Sequence, residues 1–324
     1  MPTVQKVHID KPLSNISIGY KNEAYIADQI FKPLEVKKQS DRYYVYGMEK
    51  FRTHNDLRAP GTEANEINWT LSNDTYFTEG HALRHAIADE EKANADEEFD
   101  LETEGTELVT EGILLNKEVD AANQVMNANN YHNDLRLTLG TAGTYKWSDY
   151  ENSDPILDVH KAKEALHQKS GIRPNTMIMS EQVMNVLKLH PKIKEVIKYV
   201  ERGIISTELL KAVFGVDNFL VGSALVSDAT NAGSYQPGQR EDLNYIWGTS
   251  VVLAYIAPRP GRKQVSLGYS FMWNKDGNGA VQVRKWYEVG RKATIVEAER
   301  WYNQKMISDV AGFIFADAVI PFSG

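Results

Sequence analysis

Residues 84–130 read RHAIADEEKANADEEFDLETEGTELVTEGILLNKEVDAANQVMNANN. An acidic lead-in rich in Ala and Asn runs into a segment where Leu101, Gly105, Leu108, Gly112, Leu115, Val119, Ala122 and Met126 recur at alternating steps of four and three. On a helix this spacing gathers them onto one narrow stripe. The pattern predicts a helix over 98–129, roughly 45–50 Å long at about 1.5 Å per residue, with no proline to interrupt it. A rod with one apolar seam is a structural spine, and Leu101, Leu108, Leu115, Val119 and Met126 are its expected core contacts. A coiled coil is the competing explanation; the two glycines in the seam and the absence of the pattern elsewhere weigh against it. Glu118 lies beside the seam. A carboxylate buried there needs a partner, so a salt bridge anchoring the spine is expected.

Upstream, residues 1–22 are polar with little periodicity and read as an extended arm. EAYIADQIF (23–31) reads as a short helical turn ending before Pro33, since the residue preceding proline avoids the helical region. DRYYVY (41–46) is rich in strand formers. Between 47 and 73 turn formers dominate, while Ile67, Trp69 and Leu71 alternate with polar residues as in a half-covered strand. Two strands flanking a polar turn make a long hairpin that cannot bury itself. Downstream, Ser153 or Asp154 with Pro155 starts a helix that stops at Gly171. Ser180 and Ser206 or Thr207 cap further helices, with a strand at 175–179 and a basic helix at 191–200 between them. Another strand spans 218–226. Beyond a loop at 227–242 the chain turns mainly to strands: 245–257, 265–273, 280–289, 292–302 and 310–319. The mixture is α+β, with neither βαβ periodicity nor internal repeat.

The chain has 324 residues, no cysteine, 42% apolar residues and a formal net charge of −8. Its apolar content can fill a sizeable core. No apolar run reaches the roughly 18 residues of a membrane span, and the first residues lack the apolar stretch of a secretory signal. The missing cysteine removes disulfides, thiolate catalysis and cysteine-based metal sites together. Sequence-independent DNA binding needs a basic surface, so the acidic balance argues against a nucleic-acid binder. Charge is uneven: 89–107 is acidic, whereas 188–202 and 259–263 are basic, which suits side-to-side contact between copies. Solvated surface charge accounts for most of these residues.

Catalytic constellations are missing. No GxGxxG, Walker or GxSxG pattern occurs. His81 and His85 would share a face if the segment were helical, with Asp89 or Glu90 completing a metal site; the plainer reading is a pair of surface histidines. No catalytic residue, metal ligand or cofactor is assigned.

At this point the chain resembles a family. The acidic lead-in and long helix, together with GIRPNTMIMSEQVMNVLKLHPKIKEVIKYVERGIISTELLKAVFGVDNFLVGSA (171–224), IWGTSVVLAYIAPRP (246–260) and SLGYSFMW (266–273), are similar in order and spacing to tailed-bacteriophage major capsid proteins of the Hong Kong 97 type. The resemblance covers the chain from about residue 26 to its end. It implies an α+β Hong Kong 97-like capsid fold. Residues 1–46 are expected to form an N-terminal arm and first strand, and 47–92 an extended hairpin (the E-loop) with its return strand. Residues 93–153 would form a peripheral domain with the spine helix, 154–275 an axial domain, and 276–324 strands returning to the peripheral domain. It implies a structural protein rather than an enzyme, self-assembling through pentamers and hexamers into an icosahedral head around double-stranded DNA held only non-specifically.

The hairpin would lie over a neighbouring subunit, with Arg52, Arg58, Trp69 and Leu71 as its contacts. Glu118 matches the family's inward spine glutamate. Glu97, Glu98, Glu102 and Glu104 would form an acidic inner wall. The spine is reached too early for a cleaved scaffolding segment, so a separate scaffolding protein is expected, with a portal and in some members a decoration protein. No membrane is implied. The product is a virion capsid assembled in the host cytoplasm. Lys50 is the sole lysine available for a covalent crosslink in the hairpin, and no crosslinking motif accompanies it. Two rivals stay open: an encapsulin-type shell sharing the fold, and a soluble enzyme with an unrecognised site.

Overall fold

The computed structural model describes residues 24–46, 51–68, 71–95, 100–141, 143–198, 206–227, 243–261, 264–275 and 281–321. Two five-stranded sheets organise them. The first is built on one long strand, β13 (Ala293–Met306). Its N-terminal part is flanked by β12 (Gln282–Glu288) and by β4 (Glu79–Ala88), and its C-terminal end pairs with β11 (Gly268–Trp273). β1 (Lys32–Val36) runs parallel to β11. The second sheet has the order β5 (Arg136–Thr138), β14 (Gly312–Ala316), β10 (Val251–Ala254), β6 (Thr176–Ser180), β7 (Asn218–Gly222). Every residue of β6 and β10 is buried, as expected of central strands covered on both faces.

Local chemistry places the helices of the second sheet. In α4 (Pro155–Ser170), Asp154 accepts from the Leu157 N–H at 3.0 Å, Pro155 opens the first turn, and Gly171 closes it at φ 68°. Ser180 caps α5 (Glu181–Leu189), His190 caps α6 (Pro191–Ile197), and Ser206 caps α7 (Thr207–Phe214). The path β6–α5–α6–α7–β7 is a parallel crossover. Sequence periodicity gave no sign of it, because three short helices replace the usual single one. β8 (Leu225–Ser227) pairs with β9 (Leu243–Tyr245). Two strands fall outside the expected segments. β14 pairs with β10 and β5 rather than returning to the β13 sheet, and β11, from within 154–275, joins β13. Strand pairing is a long-range property that sequence order does not carry.

The hairpin consists of β2 (Ser40–Tyr46) and β3 (Leu71–Phe77), antiparallel from Ser40 opposite Phe77 to Tyr46 opposite Leu71. Ile67 lies outside the second of these strands, Leu71–Phe77, and is exposed.

The spine is α3 (Leu101–Val125), 25 residues long. Before it, α1 (Ala27–Ile30) and α2 (Asp89–Asn94) are short. α3 starts later than expected because Asp100 takes the N–H groups of Glu102 and Thr103, and it gives way after Met126 to a 3-10 turn at Ala128–Asn130. Its buried residues are Gly105, Thr106, Val109, Thr110, Ile113, Lys117, Glu118, Ala121, Ala122 and Val125. This corrects the expected seam. Leu108 is 62% exposed, while Leu101, Leu115, Val119 and Met126 are half-buried. The physical reason is fit. The inward face sets Val109 and Ile113 against Ile87, and its small members, Gly105 and Thr106, leave room for the strand. A Cβ on Gly105 would meet the His85 ring at 3.1 Å, and one on Gly112 would meet Leu83 at 2.7 Å. The two glycines thus let β4 approach; Leu108 falls beyond that edge, while Leu101 packs against the cluster of Ile87, Val109 and Ile113. Leu108→Ala is therefore expected to leave the unfolding midpoint of the isolated subunit within about 1 °C, against the roughly 2–5 kcal/mol of a buried leucine; thermal denaturation of unassembled protein measures it.

Candidate assembly surfaces

The hairpin has a fixed root and an exposed far end, where Phe51 rests on Gly171. At the root, Tyr76 stacks on Phe271 with ring centroids 4.5 Å apart, and Tyr43 lies 5.8 Å from the same ring. Asp74 accepts from the Tyr43 hydroxyl at 2.5 Å and pairs with Lys305 at 2.7 Å. Burial would raise the Asp74 pKa, but the hydrogen bonds from Lys305, Tyr43 and the Thr75 N–H outweigh it, and the net shift is downward. Residues 51–68 are exposed throughout, Arg52 and Arg58 included. Trp69 lies outside the described residues, and of Leu71 only the backbone pairing with Tyr46 is described.

His81 and His85 lie on β4, so helical adjacency does not arise. His81 stacks on Tyr302 at 4.1 Å, and His85 faces Gly105. Of the acidic residues, Glu97 and Glu98 lie outside the described residues and Glu104 is exposed. Glu102 is ion-paired with Lys92 at 2.6 Å and Lys285 at 2.7 Å, and these hydrogen bonds hold its pKa down. It ties the spine to β12 rather than presenting free charge.

Glu118 is 1% exposed. The carboxylate accepts from the Ile26 and Ala27 N–H groups, both at 2.8 Å, and from the Trp247 indole N–H at 2.7 Å. It therefore caps α1 and ties it to the spine and to the loop before β10. Burial pushes its pKa up, and the three hydrogen bonds oppose that shift. The expected salt bridge falls one residue earlier. Lys117, 2% exposed, pairs with Asp28, whose side chain is 49% exposed, and sits over the Tyr302 ring at 5.5 Å. The cation is unsuited to a buried helix face, and its neighbour uses neutral donors instead. No sequence signal marked Lys117 beyond its place next to Glu118; its burial follows from the rotation of the helix.

Burial, with Arg300 nearby, lowers the Lys117 pKa from 10.5 to about 8, against the pull of Asp28. A lysine whose pKa is depressed on folding contributes stability that is present above the unfolded pKa and lost as pH falls through the folded one. The stability difference between wild type and Lys117→Met should thus rise in favour of wild type by up to about 3 kcal/mol between pH 8 and 10.5. Urea unfolding of both proteins across this window tests it; parallel curves would refute it.

Comparison with known proteins agrees with this architecture. Residues 85–242 match the family described as phage major capsid protein E. The chain is 29% identical over 312 residues to the major capsid protein of Burkholderia phage BcepMu, covering 95% of this chain and 96% of that one. A phage-related protein from Bordetella bronchiseptica superposes with a TM-score of 0.73 at 25% identity, over 97% of this chain and 99% of the other. The capsid protein of cyanophage P-SCSP1u shares the fold, with TM-score 0.59 at 8% identity over 92% and 89% of the two chains.

Proposed function

Given that this chain is a homologue of the phage major capsid proteins, carries their Hong Kong 97-like fold and has a structural role in the head shell, we infer that its copies join into pentamers and hexamers and close as an icosahedral shell around double-stranded DNA. The observation that carries the assembly mechanism is the hairpin. Its root is clamped to the chain's own sheet, while beyond Phe51, whose ring rests on Gly171, residues 52–68 are exposed. Such an element gains its free energy only by burial against another copy.

The β13 sheet and α3 act as the peripheral part, and the second sheet with α4–α7 as the axial part whose loops gather around the ring axes. Arg52, Arg58 and Trp69 contribute contacts to the adjacent subunit. Glu97, Glu98 and Glu104 keep the inner wall acidic, so DNA is contained without being gripped. A separate scaffolding protein and a portal complete assembly in the host cytoplasm.

Electron microscopy of the purified chain, with and without its scaffolding partner, tests this reading. Closed shells are expected. Small discrete particles only, under all conditions, would overturn it, and shells filled with one co-purifying enzyme would turn it towards the encapsulin type.

A further inference from the structure

The starts of two helices in the second sheet's layer are tied crosswise. Asp154 caps α4 through the Leu157 N–H and pairs at 3.0 Å with Lys192, in the first turn of α6. In return His190, the cap of α6, reaches Ser153, the residue before Asp154, with Nε2 3.0 Å from Oγ. His190 and Ser153 are both buried, at 0% and 2% exposure.

Both ring nitrogens of His190 are committed. The Ser153 hydroxyl donates to the Asp149 carbonyl at 2.5 Å, so towards the ring its oxygen is an acceptor. That fixes the imidazole as the neutral tautomer with its proton on Nε2. Nδ1 remains an acceptor and takes the Lys192 N–H at 3.3 Å, the capping bond of α6. A second proton has one place to go, Nδ1, where it points at the Lys192 N–H. Donor then faces donor, and the cap is lost.

The charged groups around the ring divide. Lys192 opposes a positive imidazole and Asp154 favours one. From the loop before α4, Asp149 offers its carbonyl while its carboxylate is held by Asn152, and the Tyr150 ring lies edge-on at 5.5 Å. Lys188 is in the last turn of α5, and Asp158 on α4 accepts from the Trp147 indole. Burial, with Lys192, outweighs Asp154 and holds the His190 pKa below its ordinary 6.5.

We infer that His190 is an acid-released latch, whose protonation uncaps α6 and parts the starts of α4 and α6, loosening the crossover between β6 and β7. The device works within one chain and goes beyond the shell reading. The unfolded chain binds this proton more readily than the folded one. The latch's contribution is therefore fully present above pH 6.5 and is lost as pH falls through the lower folded pKa.

His190→Asn keeps a capping acceptor that takes up no proton. Urea unfolding of the unassembled chain and of this variant is compared at several pH values; titrations common to both cancel in the ratio. Between about pH 7 and about pH 5 the folding equilibrium of the unsubstituted chain should fall at least about fivefold relative to the variant. Hydrogen exchange read by mass spectrometry, corrected for the intrinsic rate at each pH, locates the change. Protection at 192–197 should drop in the unsubstituted chain at a higher pH than protection in β10, and should persist in the variant. A constant ratio of folding equilibria would overturn the inference. So would loss of protection in α6 and β10 together, which marks global unfolding; the unsubstituted chain alone gives this readout if the variant does not fold.

Discussion

Glu118→Ala is expected to lower the unfolding midpoint of the unassembled subunit by roughly 10 °C or to leave it insoluble. The substitution strips the Ile26 N–H, the Ala27 N–H and the Trp247 indole N–H of their acceptor at once. A buried donor left without a partner costs about 1–3 kcal/mol, so the three together amount to several kcal/mol even with partial relaxation. A shift of roughly 2–4 °C per kcal/mol suits a chain of this size class. Glu118→Gln keeps one acceptor oxygen and sets an amide N–H₂ against a donor, so it should fall between wild type and Ala. Calorimetry of the three proteins decides it. An Ala variant within 2 °C of wild type would show that α1 is not held by this carboxylate. Because α1 follows directly on the N-terminal segment, the loss should also reduce particle yield at temperatures where the mutant subunit stays folded.

Gly268→Ala should be comparably damaging through a different mechanism. Gly268 opens β11 opposite Met306, where a Cβ would lie 2.5 Å from the Lys305 carbonyl oxygen and collide with the buried Phe31 ring. The carbonyl belongs to the β11–β13 ladder and cannot retreat without breaking it, so the cost should reach the upper part of the roughly 1–3 kcal/mol typical of overpacking, or exceed it. Gly290→Ala, where nothing lies within 4 Å of the added carbon, is the matched control and should be near neutral. Equal midpoints for the two variants would refute the steric argument.

Both positions show where reading the sequence stops. The chain itself determined its local elements. Asp154 with Pro155 and Gly171 delimit α4, Ser180 and Ser206 start their helices, and the run without proline after Asp100 makes the spine. These signals act over a few residues, because they satisfy backbone groups at helix ends or set backbone angles. The resemblance to capsid proteins was legible for the same reason, as an order of such elements. The tertiary structure alone decided which face of the spine is buried. The stripe of Leu101, Leu108 and Leu115 was the stronger hydrophobic pattern, yet Gly105, Thr106, Thr110 and Ala121 face inward, since close packing selects the shape that complements His85, Ile87 and Leu83. It also decided that Glu118 binds three neutral N–H groups while Lys117 takes the carboxylate of Asp28, and that β14 joins β10 and β5. The partners in these contacts lie from 58 to 178 positions apart in the chain, and no local periodicity encodes which distant side chain will fill a given space.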